Sequence, residues 1–216
     1  MYPPEIVALG IVSSIGWITV YTYIIKLGFK EKTYGMPIFA LCLNLSWEFL
    51  FSIVYPSIDV VQEITNIVWL ALDVVILVTY LRYGRRYFPR DLNKNLFMPH
   101  LILVFGTSFL GIWLFSIEFN SLDGAYAAFL QNLIMSVLFI DMMFKRDGIE
   151  GQSVKIAIAK TIGTLAPTIG TFLYFPDSIL LHFLGIMCFI FDVIYIYLLY
   201  RKFEKLGIDP YTRQPR

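Results

Sequence analysis

The chain is an almost unbroken succession of apolar runs, and within four of them stands a carboxylic acid: Glu48, Asp73, Asp141 and Asp192. An ionised carboxylate in hydrocarbon costs roughly 3 kcal/mol even on the mildest insertion scale, so such residues persist where they are paired or functional. With 58% hydrophobic, 17% aromatic and only 15% charged residues, the composition lies outside the soluble globular range and inside the membrane class. The expected fold is all-α: a polytopic membrane protein built as a bundle of seven transmembrane helices.

A hydrocarbon core of about 30 Å needs about 20 helical residues. Cut on that length, the chain gives spans at Pro4 to Lys26, Gly35 to Tyr55, Gln62 to Leu81, Phe97 to Ile117, Leu122 to Phe144, Ser153 to Tyr174 and Ser178 to Tyr200. Residues 1–203 are therefore expected to form one transmembrane domain. Residues 204–216 form a short polar tail, expected to fray. No Lys or Arg precedes the first run and no small-residue cleavage signal closes it, so it reads as a span and not as a signal peptide. Cys42 and Cys188 lie within apolar runs without metal-ligand spacing and are expected to be packed thiols.

Loop charge sets the expected orientation. Every Lys and Arg except Lys160 lies in or beside alternate loops or the tail: Lys26 to Lys32, Arg82 to Lys94, Lys145 to Lys155, and Arg201 to Arg216. The opposite ends carry Glu5, Asp59, Glu63, Glu118, Asp123 and Asp177. Basic loops stay cytoplasmic, so the N-terminus is expected outside and the C-terminus inside, which requires an odd number of spans. Tyr2, Tyr55 and Tyr174 at one set of ends, and Tyr34, Tyr83, Tyr87 and Tyr200 at the other, fit interfacial belts. The net charge of +1 gives no reason to expect nucleic acid; the expected surroundings are the lipid bilayer.

Polar residues three, four and seven apart mark the helix face turned from lipid. Such stripes run through Ser14, Trp17 and Tyr21; through Asn44, Glu48, Ser52 and Tyr55; and through Gln62, Asn66, Trp69, Asp73 and Tyr80. Others run through Lys160, Thr164, Thr168 and Thr171, with Pro167 expected to break the ladder, and through His182, Gly185, Phe189, Asp192 and Tyr195. Hydrogen bonding between helices accounts for Asn66, Asn132 and the threonine face. Asp141 and Lys160, near the cytoplasmic ends of their spans, are explained by snorkelling or by a mutual ion pair. Asp73 lies near mid-membrane, where Asn66 and Trp69 could solvate it. Glu48 and Asp192 are left as the best functional pair.

The chain has no Asp-rich diphosphate cluster, no phosphate loop, no nucleophile elbow and no zinc helix, and its seventh span has no lysine for a Schiff base. The expectation is acid chemistry with neither metal nor cofactor.

The run Gly35-Met-Pro-Ile-Phe-Ala-Leu-Cys-Leu-Asn44-Leu-Ser-Trp47-Glu48, together with Phe191-Asp192-Val-Ile-Tyr195, resembles the integral-membrane terpene cyclases of meroterpenoid and indole-diterpene biosynthesis. The resemblance covers nearly the whole chain. It implies a substrate in which a prenyl chain is attached to another scaffold, protonation of a terminal epoxide or olefin, and a carbocation cascade that closes rings. It also implies a catalytic pair, one acid in the second helix and one in the last, which fall on Glu48 and Asp192.

The residue chemistry is compatible with that role. A general acid must stay neutral until it fires, and burial disfavours the charged form of a carboxyl. Rings such as Trp17, Trp47, Trp69, Phe189 and Tyr195 could face a developing cation, each contributing up to about 2 kcal/mol when desolvated. Glu48 is expected as leading donor, Asn44 as its orienter, Asp192 as second acid or electrostatic stabiliser, and Asp73 as reserve. In straight helices Glu48 and Asp192 lie about 10 Å and about 20 Å from the outer ends of their spans, so direct contact between them is not expected. Competing readings are a small proton-coupled transporter with Pro37 and Pro167 as helix interruptions, and a non-catalytic lipid-binding subunit.

Overall fold

The computed structural model describes residues 3–215; Tyr2 and Arg216 of the expected belt and tail lie outside them. The described residues form seven long helices: α1 (Pro4–Lys30), α2 (Ile38–Phe49), α3 (Val60–Tyr83), α4 (Phe97–Glu118), α5 (Ala125–Lys145), α6 (Val154–Tyr174) and α7 (Ile179–Lys205). Six are long and apolar enough to cross a membrane. The seventh segment is shorter: α2 continues through a π-helical turn, Leu50–Val54, to make an apolar element from Ile38 to Val54. Pro37 sets its start, because proline lacks the N–H that an earlier turn would need.

Large apolar side chains such as Ile15, Ile53, Ile102 and Leu103 stay exposed on the outer surface. A continuous apolar exterior of this kind is what a bilayer solvates, and the protein is an integral membrane protein. The interior carries the polar stripes. Ser13, Asn44, Glu48, Asn66, Asp73, Lys160, Thr164 and Asp192 are all buried.

Helix α1 packs directly on α6 through glycine. A Cβ on Gly16 would stand 2.7 Å from the Cα of Gly163, so the two backbones cross without side chains between them. Pro167 lies four residues after Gly163 and cannot donate to its carbonyl. Ser13 Oγ of α1 donates to that carbonyl at 2.8 Å instead, and α6 stays continuous across the proline. The expected break at Pro167 is thus replaced by a repair from the neighbouring helix.

Two further expectations are corrected. Lys160 does not pair with Asp141: Asp141 pairs with Lys145, one turn along its own exposed face, at 2.7 Å, while Lys160 pairs with Asp192. The tail does not fray among the described residues. Ile208 bridges Pro215, Asp209 accepts from the backbone of Tyr211 and Thr212, and Arg213 pairs with Glu31 beyond α1. Docking of this kind gives a polar segment the partners that a sequence alone does not reveal. Cys42 and Cys188 are free and buried, as expected.

Candidate active site

A cavity of about 760 Å³ opens between α1, α2, α3, α5 and α6. It extends from Glu48 to the end of the bundle that bears the acidic loops, where Tyr55, Asp59, Asp123 and Phe175 border it. No residue of α4 or α7 lines it.

Five of the residues expected in the site meet on its wall: Trp17, Asn44, Trp47, Glu48 and Trp69. Their placement follows from helical spacing on α1, α2 and α3 and from two local devices. The first device is the π-turn, which begins two residues beyond Glu48. Such turns leave backbone carbonyls without helical donors. Ser52 Oγ donates to the Glu48 carbonyl, and Asn66 Nδ2 of α3 donates to the Phe51 carbonyl at 2.9 Å. The second is Gly124, at φ +75°, where a Cβ would strike the Trp47 indole and the Phe51 ring at 2.8 Å. Trp47 Nε1 donates to the Gly124 carbonyl at 2.9 Å and is held there.

Glu48 is 2% exposed and sits in a directed hydrogen-bond chain. Asn44 Nδ2 donates to the Tyr21 hydroxyl at 2.6 Å, and that hydroxyl donates to Glu48 Oε1 at 3.1 Å. Glu48 Oε2 is buried, and the Glu48 carboxyl is in hydrogen-bonding contact with that of Asp73. Asp73 lies behind Glu48, away from the cavity wall, fully buried and within electrostatic range of it. Asp73 is in hydrogen-bonding contact with Asn44 as well.

The remaining expected site residues lie elsewhere. Asp192 is buried beside Lys160, whose Nζ is 2.7 Å from Oδ1 and 3.0 Å from Oδ2. Tyr195 packs on Phe139 and directs its hydroxyl to Gln152. Phe189 is 38% exposed on the outer face of α7. Its offset of three residues from Asp192 turns it about 60° from that residue's direction, enough to move it out of the bundle. Among the described residues, no three His, Cys, Asp or Glu side chains gather as a metal site would require.

Tyr21 was missed as a site residue. Its signal was the stripe Ser14, Trp17, Tyr21, all three of which line the cavity. Lys160 was missed as the partner of Asp192 because the relative register of α6 and α7 is not written in either helix.

Comparison with known proteins places this chain in a family. The Pyr4-like transmembrane terpene cyclases match residues 4–205. The terpene cyclase penB of Penicillium crustosum is 26% identical over 191 residues, covering 82% of this chain and 77% of that protein. The Pyr4-family terpene cyclase mfmH of Annulohypoxylon moriforme is 28% identical over 163 residues, covering 73% and 66% respectively. The terpene cyclase pyr4 of Aspergillus fumigatus is 24% identical over 202 residues, covering 87% and 82%. No solved structure matches the chain. With the match spanning nearly all of its length, from the first helix to the last, the chain belongs to the Pyr4-like transmembrane terpene cyclases.

Proposed function

We propose that this protein is a protonation-initiated, metal-independent terpene cyclase with Glu48 as the general acid. Its substrate is a hydrophobic prenyl chain borne on another scaffold, with a terminal epoxide or olefin as the proton acceptor. The observation that carries the reading is the state of the Glu48 carboxyl. Oε1 is engaged by the Tyr21 hydroxyl, the carboxyl is in hydrogen-bonding contact with that of Asp73, and Glu48 lines a cavity of about 760 Å³.

The direction of the hydrogen-bond chain supports this assignment. Asn44 has only donors on Nδ2, so the Tyr21 oxygen accepts from it and its proton goes to Oε1. The acidic proton of a neutral Glu48 then belongs on Oε2, with the Asp73 carboxyl as the neighbouring acceptor.

Protonation of an epoxide breaks a carbon–oxygen bond and leaves a tertiary cation, which the next double bond of the chain attacks. The indoles of Trp17, Trp47 and Trp69 present electron-rich surfaces on the same wall. The cascade ends when a proton leaves carbon, and that proton restores the acid. The bundle is read as seven transmembrane spans with the cavity mouth at the extracytoplasmic side.

The test is conversion by purified protein in detergent of a farnesylated aromatic epoxide and of its olefin counterpart, with a chelator present. Cyclic product in the chelated reaction supports the reading; intact substrate with both, from folded protein, opposes it.

A further inference from the structure

The resemblance assigns a catalytic part to the acid of the last helix, yet here that acid is tied up. Both oxygens of Asp192 accept from one ammonium, at 2.7 and 3.0 Å, and the third proton of Lys160 goes to Ser136 Oγ at 2.7 Å. Three donors meet three acceptors. The three residues are at most 2% exposed, and none of them lines the cavity. To give up a proton, Asp192 would have to be neutral, which would leave a bare ammonium in the membrane interior.

The position of that ammonium matters for the reaction. Lys160 Nζ lies 5.7 Å from the centre of the Trp17 ring, and Trp17 is part of the cavity wall. A positive charge therefore stands just behind a surface that would face a carbocation. The other groups near the pair are neutral or distant from it: Cys188 on α7 is a buried thiol, and Tyr195 bonds to Gln152. Asp192 supplies the one opposing charge in contact with Lys160 among the described residues.

We propose that Lys160 and Asp192 act as one charge-balanced unit behind the Trp17 wall, in which Asp192 serves by cancelling the charge of the lysine and not by giving a proton. Both are positioning residues, and the idea rests on the cyclase reading above. It separates the two acids that the resemblance treats as a pair. Glu48 reacts, and Asp192 keeps the field in the cavity tolerable for a cation.

The experiment compares Asp192→Asn, Lys160→Met and the double variant Lys160→Met/Asp192→Leu, each checked for folding by thermal unfolding in detergent. Asp192→Asn leaves the ammonium unbalanced, and turnover should fall about tenfold to a hundredfold, the effect of a unit charge several ångströms from a developing cation. Its residual product should shift toward partly cyclised compounds, because the cation is disfavoured after it forms. A role confined to folding would lower yield without changing that ratio. The double variant should recover to within about tenfold of the parent, since it removes both charges together.

A folded double variant as inactive as Asp192→Asn would overturn the proposal. The amide pair Lys160→Gln/Asp192→Asn gives a second neutral variant should the apolar one misfold. Infrared spectra supply a readout independent of activity: Asp192→Asn should remove absorption of an ionised carboxylate. Loss of a protonated-carboxyl band instead would also overturn it. Glu48→Gln serves as the control; if it stays active the acid-initiated reading fails, whereas if it is dead and the double variant is dead too, only the present proposal fails.

Discussion

The phenol of Tyr21 points its proton at Glu48: its oxygen takes a hydrogen bond from Asn44 at 2.6 Å and lies 3.1 Å from Glu48 Oε1. In the proposed mechanism this order of donors leaves the acidic proton of the glutamate to Oε2. Replacing Tyr21 with Phe keeps the ring and removes that direction. Turnover should fall about tenfold with little change in KM, the worth of one hydrogen bond to a reacting group. An unchanged kcat in Tyr21→Phe would show that Glu48 needs no such orientation.

Asp73 stands behind Glu48, in hydrogen-bonding contact with it and with Asn44. Asn at this position keeps the size but offers an N–H to Glu48, which favours the carboxylate over the acid. Cyclisation by Asp73→Asn should therefore drop by a factor on the order of 10, more than a remote polar contact would produce. Parent-level turnover in this variant would reduce Asp73 to a packing residue.

The crossing of α1 and α6 sets the position of Trp17. A methyl group on Gly16 would meet backbone of Gly163 at 2.7 Å, whereas one on Gly106 meets nothing within 4 Å. Gly16→Ala should lower stability in detergent by about 1 to 3 kcal/mol, the usual cost of overpacking, while Gly106→Ala should not. Equal unfolding temperatures for the two variants would contradict the close crossing.

Orientation follows from loop charge and is testable without substrate. Cysteines placed at Asp59 and Asp177 should react with an impermeant thiol reagent in intact cells, and one placed at Lys94 should not. The opposite pattern would invert the proposed topology and put the cavity mouth on the cytoplasmic side.

Much of this architecture was legible in the residues themselves. The Asn44 to Glu48 spacing places both on one face of α2, and both line the cavity. The stripes of α1 and α3 likewise brought Trp17 and Trp69 to the same wall. Periodicity shows which way a side chain leaves its own helix, but not which neighbour it meets. Lys160 therefore found Asp192 and not Asp141, a difference of helix register between α6 and α7. Phe189 shared a nominal stripe with Asp192 yet lies on the lipid side, because a three-residue step drifts off the face that a four-residue step would restore. The second span begins at Ile38, three residues later than expected, because Pro37 sets its start, and it ends at Val54, one residue before the expected Tyr55. The docked tail depends on Arg213 meeting Glu31, a contact between distant parts of the chain.

The central claim is that Glu48 delivers the initiating proton, and it is tested most directly by single-turnover cyclisation with Glu48→Gln. Glutamine keeps the volume and can still accept from Tyr21, but it has no acidic proton. Cyclisation should fall by a factor on the order of 10² or more in a variant that unfolds at the parent temperature. Parent-level cyclisation by folded Glu48→Gln would contradict it.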